Sequence, residues 1–449
     1  MISRVVESRS PIWRDFGRGL SHTEFLHVAD ITIAYSQAVM TFGGRLPADA
    51  DFVQAVRAYA PSHLTQYLAR AAAERGGWDV ELKRGMRPPW AAAAMVRDCV
   101  VSSNDHRSSE LTERKLARLF NLFNEAHDTR GDSAQSVLTP ILYEQFPYQQ
   151  SQYEEMIRSI ALFEDEYDGC KQWPWSDILG APVSDLISLA FIIHTVVMQA
   201  AGEYVIRPDF AQVVESLGYS ESLPKIADGM TRSVSEMKAA ANLVPPPDPA
   251  YRRFAYNPLL RTPLVQTNRG IFAPVPELIY DAVSPGVLYH RGRDAWGNGF
   301  THDRGARVQQ YVGRQRRLLA PEFEVVPEIL YQGDQLSADW FLMSEELLVI
   351  VECKASRASL EARLGTQALD TQFKRDISKA KRQIERTAQL VATHHPDCAV
   401  VSGSRRVIGL IITAEPFYLL AASHSKELLD GTPTLLGSLR DLEHLTTLD

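Results

Sequence analysis

The chain has 449 residues, a length that indicates about two domains rather than one small core. Hydrophobic residues make up 45% of it and charged residues 23%, which are globular averages that exclude wholesale disorder and a collagen-like fibre. The net charge of −8 is unevenly divided: residues 1–250 carry 23 basic against 32 acidic side chains, whereas residues 251–449 carry 24 against 23. The C-terminal half is therefore the better candidate for binding a polyanion.

The spacing of the cysteines and the apolar segments indicate in which cellular compartment the protein is found. The four cysteines are widely separated and form no Cys-x-x-Cys pair, which argues against a zinc ribbon and favours reducing surroundings. Residues 1–10 lack the apolar segment of a secretory signal. The most apolar stretch, residues 186–201, is interrupted by polar residues and is shorter than the ~20 apolar residues that cross a bilayer. We therefore expect a cytoplasmic protein without a membrane partner, in which this stretch is a buried core helix.

Apolar residues recur at three- and four-residue spacing through much of the first half, which predicts a mostly helical domain over residues 1–243. The pattern is clearest in the segments 50–75, 108–127, 150–165, 183–206 and 222–242. Residues 244–250 contain four prolines, which forbid a helix and favour a stiff extended linker. We assign the helical domain to targeting or assembly, through a partner protein or a second copy of the chain.

After the linker the pattern changes to that of an α/β domain, which we predict over residues 251–449. Short β-rich runs precede a helix, three strands joined by short turns as in a meander, a second helix and a further strand. These elements cover residues 262–266, 270–273, 305–319, 323–331, 337–343, 347–355, 371–391 and 407–412. The helix at 305–319 has its apolar residues on one side. Four arginines lie away from that side: Arg304, Arg314, Arg316 and Arg317.

Glu352 and Lys354 end the third of these strands, directly after the apolar run 347–351. Five consecutive apolar residues indicate a central strand, where charged groups are unfavourable unless they are paired or bind a metal. Residues two apart in a strand point to the same face, so both side chains emerge together. Asp339 lies on the preceding strand, where a tight hairpin would bring it beside Glu352. The alternative interpretation is a surface ion pair at a strand end.

Two carboxylates and an ammonium at one site suit Mg²⁺, or Mn²⁺ in its place, because such an ion keeps several waters and also binds phosphate oxygens. The metal would polarise a phosphodiester and help to generate hydroxide. Lys354 would orient the attacking water and offset the charge that develops at phosphorus. These residues therefore indicate phosphodiester hydrolysis.

The arrangement resembles the PD-(D/E)XK, or restriction-endonuclease-like, nuclease superfamily, through Asp339, a gap of twelve residues and the sequence Glu352-Cys353-Lys354. The order of a helix, three strands, a helix and a strand is also similar to that superfamily's core, over roughly residues 300–415. The resemblance implies a mixed sheet flanked by helices. It further implies Asp339 and Glu352 as metal ligands, Lys354 as the catalytic lysine and the carbonyl of Cys353 as a further ligand.

The chain departs from the superfamily on the first core helix. Many members carry an acidic residue there, and this chain has Gln309 at the matching position. A glutamine can hold a metal-bound water but supplies no charge, so a second metal site stays open. Glu328, on the first strand, is a candidate to replace the missing acid, and an outward-facing strand residue is its alternative interpretation.

The helix at 371–391 has an apolar stripe and basic flanks. Its far side carries four residues that would follow a nucleic-acid backbone or form an ordinary solvated face: Arg375, Lys379, Arg382 and Arg386. Lys374 and Lys381 flank the stripe and are candidates to face a groove. Gln383 lies on the other border of the apolar stripe, and the resemblance makes it a candidate for positioning water or substrate.

We therefore expect a metal-dependent endonuclease that hydrolyses DNA, acting as a prokaryotic defence or DNA-processing effector by analogy of architecture. Cutting both strands of a duplex would favour a homodimer. Two alternatives stay open. One is a non-catalytic binding or scaffold protein with the same fold, which Gln309 favours, and the other is a nuclease directed at RNA.

Overall fold

The computed structural model describes residues 49–85, 87–125, 134–149, 151–246, 249–319, 323–418 and 424–446. These residues form an α/β structure in which mixed sheets are flanked by helices, so the predicted fold class is confirmed at this level.

Each of the five segments predicted to be helical in the first half contains at least one helix. The helices are α1 (Asp49–Val56), α2 (Pro61–Arg75), α3 (Trp78–Lys83), α4 (Pro89–Ser102), α5 (Glu113–Glu125), α6 (Ala134–Gln145), α7 (Gln152–Phe163), α8 (Trp175–Leu179), α9 (Val183–Gln199), α10 (Pro208–Ser216), α11 (Ser222–Gly229) and α12 (Val234–Leu243). Strand β1 (Thr231–Ser233) interrupts the segment predicted as one helix over 222–242.

One helical stretch in the described part of the chain, Trp175–Gln199, has the length and apolar composition of a membrane span. Its most apolar window has a mean hydropathy of 1.7, and half of that window is buried inside the protein. The same composition is typical of a core helix, and Leu189, Ala190 and Ile193 of α9 are fully buried here. The stretch therefore contributes to the protein core, as the sequence predicted for residues 186–201.

The predicted linker is described only in part. Residues 244–246 lie outside helices and strands, and residues 247 and 248 lie outside the described residues. Apolar cores contain residues from both sides of this segment, since Phe120 shares one with Leu278 and Leu189 shares another with Val351. The two halves are therefore packed together, and the proposed domain boundaries stay a prediction.

The second half begins with a small sheet and a long helix. Strands β2 (Leu264–Thr267) and β3 (Gly270–Phe272) complete a three-stranded sheet with β1, in the order β1–β2–β3. Short helix α13 (Leu278–Asp281) precedes α14 (Pro285–Arg316), which bends at Gly297, where φ is 64°. The predicted helix at 305–319 is thus the last part of a longer element.

Five strands form the main sheet, in the order β10–β9–β8–β7–β4. The remaining elements are β4 (Glu324–Pro327), β5 (Leu330–Tyr331), β6 (Gln335–Leu336), β7 (Trp340–Met343), β8 (Leu347–Lys354), α15 (Gln367–Ala392), β9 (Arg406–Thr413), α16 (Ser425–Leu429), β10 (Thr434–Ser438) and α17 (Leu439–Leu445). Strands β4, β7 and β8 pair antiparallel, whereas β8, β9 and β10 pair parallel. The predicted meander is therefore present, with β5 and β6 forming a separate two-stranded sheet within it.

Strand β8 lies in the middle of this sheet and is covered on both faces. Val349 and Val351 share an apolar core with α14 on one face. Leu348 and Ile350 share another with α15 on the opposite face. The apolar run 347–351 therefore forms the central strand that the sequence predicts.

Two strand predictions differ from the structure. The segment 323–331, predicted as one strand, divides into β4 and β5 after Pro327, because proline cannot donate the next ladder hydrogen bond. Strand β10 was not predicted, because it is short, contains Gly437 and lies at the sheet edge, where apolar alternation is weak.

Two glycines of α14 differ in how closely they pack against the main sheet. A Cβ on Gly313 would lie 2.2 Å from the ring of Trp340, whereas Gly305 of the same helix faces open space. We expect Gly313→Ala to lower the free energy of unfolding by about 1–3 kcal/mol through overpacking. Gly305→Ala is the matched control and is expected to raise it by about 0.5–1 kcal/mol through helix propensity. Urea unfolding measures both, and equal effects would contradict this packing.

Candidate active site

The C-terminal end of β8 carries charged residues into the protein interior. Val351 is fully buried, and Glu352 is 2% exposed. By strand alternation, Glu352 lies on the α15 face with Leu348 and Ile350. Lys354 lies on the same face two residues later, and its side chain is 20% exposed. The sequence therefore puts a carboxylate where a charge is costly and an ammonium just outside it.

Asp339 directly precedes β7 rather than lying within it. Trp340 pairs with Val351, so the register puts Asp339 opposite Glu352. Oδ2 of Asp339 accepts a hydrogen bond of 2.6 Å from the N–H of Cys353. The hairpin predicted from the sequence thus brings the acidic pair and Lys354 to one end of the sheet.

Lys354 and Glu352 form a direct ion pair. The ammonium of Lys354 donates to Oε1 of Glu352. The other oxygen, Oε2, is buried and makes no hydrogen bond of normal geometry among the described residues, although the backbone of Asp339 lies close enough to the carboxyl group to lower the pKa of Glu352. An unpaired buried oxygen costs about 1–3 kcal/mol, so it calls for a functional explanation such as a bound cation or water.

Both carboxyl groups have perturbed acidities. Burial raises the pKa of Glu352, the charge of Asp339 raises it further, and Lys354 opposes both effects. Burial also raises the pKa of Asp339, against the Cys353 N–H and Lys354. The charge of Glu328 adds to the rise in the pKa of Asp339, so a third acid influences this site. Carboxyl groups with raised pKa values are frequent in catalytic sites.

Arg316, the last residue of α14, is a second cation near the acidic pair. It is fully buried, and its guanidinium nitrogens have no hydrogen-bond partner among the described residues. Burial lowers its pKa to about 10, while Cys353 and Asp339 act to raise it. The helical pattern put Arg316 away from the apolar side of α14, and its burial arises because the sheet covers more of the helix than that stripe. Sequence reasoning therefore missed it.

The remaining predicted site residues act on the segment around Asp339. Gln309 contributes its carbonyl, which accepts a hydrogen bond of 2.9 Å from the indole N–H of Trp340. Gln383 donates to the carbonyl of Ser337 at 3.2 Å, two residues before Asp339. Cys353 gives its N–H to Asp339, and burial raises the pKa of its thiol. The described contacts thus connect Gln309 and Gln383 to residues on either side of Asp339, and their proposed catalytic roles stay predictions.

The basic face predicted for α15 is exposed at all four positions: Arg375, Lys379, Arg382 and Arg386. Lys374 is exposed as well. Lys381 is buried, so the prediction that it faces a groove is wrong: its ammonium donates to the carbonyl of Thr432 and, at 3.2 Å, to Oγ1 of Thr434. The contact could not be foreseen because it is made to the beginning of β10, which the sequence did not reveal.

A group of arginines at the same edge of the sheet was also missed. Arg304, Arg357 and Arg363 gather around Glu415, which follows β9. Arg357 and Glu415 lie in irregular segments and Arg363 in a single 3₁₀ turn, none of which has a sequence period. The only sequence signal was the density of basic residues that follows Glu352.

Asp339 and Glu352 have the ligand chemistry of a magnesium site with few protein ligands. In the part of the chain that the structure describes, no group of three or more His, Cys, Asp and Glu side chains is arranged to hold one. Asp339 and Glu352 nevertheless suit Mg²⁺, which keeps several waters and is often bound by only one or two carboxylates. Oε2 of Glu352 supports this fit, because it is buried without a well-formed hydrogen bond among the residues that the structure describes, and a cation would satisfy it.

The burial of the Glu352–Lys354 ion pair should make the two residues affect stability in opposite directions. We expect Glu352→Gln to raise the free energy of unfolding at neutral pH by about 1 kcal/mol, because it removes a carboxylate from a buried position. Lys354→Met should lower it by about 1–3 kcal/mol, because it leaves that carboxylate without a partner. Lys238→Met, at an exposed position of α12, is the control. Urea unfolding that shifts the same way for both site variants would contradict this picture.

The chain finds no match among protein-family models, curated proteins or solved structures. Likeness to another protein therefore assigns no family. The function has to be inferred from Asp339, Glu352, Lys354 and the geometry around them.

Proposed function

We propose that the protein is a metal-dependent nuclease that hydrolyses phosphodiester bonds in DNA. The observation that carries the proposal is the buried Glu352, one oxygen of which has no well-formed hydrogen bond within the described part of the chain, beside Asp339 and Lys354 at the end of a central strand. Such an arrangement is costly for stability, and costly charges persist where they perform a function.

Each residue of the site would have its own role in hydrolysis. Asp339 and Glu352 would hold the divalent ion, Mg²⁺ or Mn²⁺, with the carbonyl of Cys353 as a further ligand. When bound, that ion supplies Lewis-acid polarisation of the phosphodiester and a more acidic water. Lys354 leaves Oε1 of Glu352, orients the attacking water and offsets the negative charge that develops at phosphorus.

The order of elements supports the same proposal. The elements α14, β4, β7, β8, α15 and β9 follow one another as in the core of the PD-(D/E)XK superfamily, with the acidic pair at the matching strand ends. Gln309 supplies no acid from α14. Glu328, whose charge acts on Asp339, is the residue that would take that part.

The surroundings of the site suit a role in DNA processing. An exposed basic face on α15 suits a nucleic-acid backbone, and cutting both strands of a duplex would use a homodimer. The mostly helical first half would serve targeting or assembly, in a cytoplasmic defence or DNA-processing effector.

The test is cleavage of supercoiled plasmid DNA by the full-length chain with Mg²⁺ or Mn²⁺. We expect Lys354→Ala and Glu352→Gln each to reduce the rate by at least ~100-fold, because each removes a group that acts on the reacting atoms. The matched control is Lys238→Ala, since Glu236-Met237-Lys238 repeats the Glu-x-Lys spacing on the surface of α12. Equal cutting by the wild type and the site variants would refute the mechanism, and faster cutting of RNA than of DNA would refute the substrate.

A non-catalytic scaffold is the second candidate. The observation that favours it is the direct ion pair between Lys354 and Glu352, which already neutralises the buried acid. In a scaffold, calorimetry would detect no binding of Mg²⁺ that depends on the acidic pair. Binding of Mg²⁺ by the wild type but not by Asp339→Asn would exclude the scaffold.

A further inference from the structure

An arginine cluster lies at the same edge of the sheet as the candidate active site. We define it as Arg304 of α14 with Arg357 and Arg363, which lie between β8 and α15, gathered around Glu415. Oε1 of Glu415 lies 2.6 Å from Nε of Arg357, and Oε2 lies 3.2 Å from Nη2 of Arg363. Arg304 is near enough for its charge to lower the pKa of Glu415.

The arginine cluster carries more positive than negative charge. Burial alone would raise the pKa of Glu415, but Arg357, Arg363 and Arg304 together lower it to about 2, so the carboxylate is ionised. Burial, together with Arg357 and other arginines, lowers the pKa of His290 to about 4, so this neighbour is neutral. Three guanidinium groups thus act on one carboxylate, and Glu155, the other acid whose charge interacts with Glu415, has its own partner in Arg158. The two remaining positive charges, in a partly buried position, attract an anion.

The cluster is held rigidly and has an accessible side. Nη1 of Arg304 donates to the carbonyl of Ala355 at 2.6 Å, while its Nε has no hydrogen-bond partner among the described residues. The ring of Tyr289 lies against both Arg304 and Arg357, 4.4 and 5.0 Å from their guanidinium carbons, and fixes them by cation–π contact. The side chain of Arg363 is 31% exposed and that of Arg357 12%. A ligand can therefore approach from the side of Arg363.

The cluster begins one residue beyond Lys354. Ala355, which Arg304 contacts, is the next residue of the chain, and the N–H of Ala414, directly before Glu415, donates to the carbonyl of Lys354 at 2.9 Å. Arg357 lies three positions after Lys354, which is at most about 11 Å of extended chain. The arginine cluster is therefore within reach of a nucleic-acid strand that contacts Lys354.

We propose that the arginine cluster binds a backbone phosphate of the DNA strand, next to the phosphodiester that is cut. The inference rests on the proposed function for the position of the cut bond. A guanidinium group matches phosphate in bidentate hydrogen bonds, and a phosphodiester supplies negative charge that Glu415 alone does not provide. The arginines position the strand and take no part in breaking the bond.

The test measures how the full-length chain binds a fluorescent DNA duplex, by anisotropy in EDTA so that no cutting occurs. We expect Arg363→Gln to weaken binding about tenfold and to reduce the slope of log K against log salt by about 1. Arg70→Gln is the matched control, because Arg70 is also paired with a glutamate, Glu74 at 2.7 Å, but lies on α2. It should leave affinity and slope unchanged.

Two further measurements distinguish loss of the phosphate contact from misfolding of the Arg363→Gln variant. Arg363→Lys keeps the charge and loses the planar fork, so it should retain the salt slope and lose part of the affinity. With the wild type, inorganic phosphate should displace the duplex more effectively than chloride at equal ionic strength. Equal affinity of folded wild type and Arg363→Gln, or no competition by phosphate, would overturn the inference. Tighter binding of an RNA duplex of the same sequence would overturn the assignment to DNA.

The outcomes separate this inference from the nuclease proposal. DNA binding that depends on Arg363, without any cutting in Mg²⁺, would refute the nuclease and keep the phosphate site. Cutting by the wild type at a rate that Arg363→Gln does not change at low DNA concentration would refute the phosphate site alone.

Discussion

The burial of Glu352 at the end of a central strand is the constraint on which the candidate site depends. Five apolar residues before it require coverage on both faces of the sheet, and this coverage leaves Glu352 only 2% exposed. Once the carboxylate is buried, it needs a compensating charge, and Lys354 provides it from the same face. The hairpin that makes β8 central also places Asp339 opposite Glu352. Strand stability and the chemistry of the site thus come from one stretch of sequence.

The charges around the acidic pair nearly cancel in the arrangement described. Lys354 contacts Glu352 directly, and Arg316 acts on Asp339 from the α14 side of the sheet. A divalent ion and a polyanion would therefore enter together, since each supplies the charge that offsets the other. The arginine cluster next to Lys354 extends the positive side of this balance along the edge of the sheet. In this account, the ion pair of Lys354 with Glu352 is the resting arrangement of the site.

Much of the secondary structure of the second half could be predicted, because its strands have local sequence patterns that identify them. The run that ends at Glu352 gave the central strand, and the short turns gave the antiparallel pairing with Asp339. Arg316 and Lys381 could not be predicted in the same way, since helical spacing shows which side is apolar but not how far a neighbouring sheet or loop extends over it. Arg357, Arg363 and Glu415 meet only through tertiary packing of irregular segments, for which the sequence carries no period.

Anomalous diffraction from crystals of the protein soaked in Mn²⁺ tests the central claim most directly, because it locates the ion without relying on activity. We expect one manganese peak at the end of β8, within about 2.3 Å of an oxygen from Asp339 and of one from Glu352. We also expect that the ammonium of Lys354 has moved away from Glu352. A peak elsewhere, or an intact Lys354–Glu352 ion pair at saturating Mn²⁺, would contradict the claim.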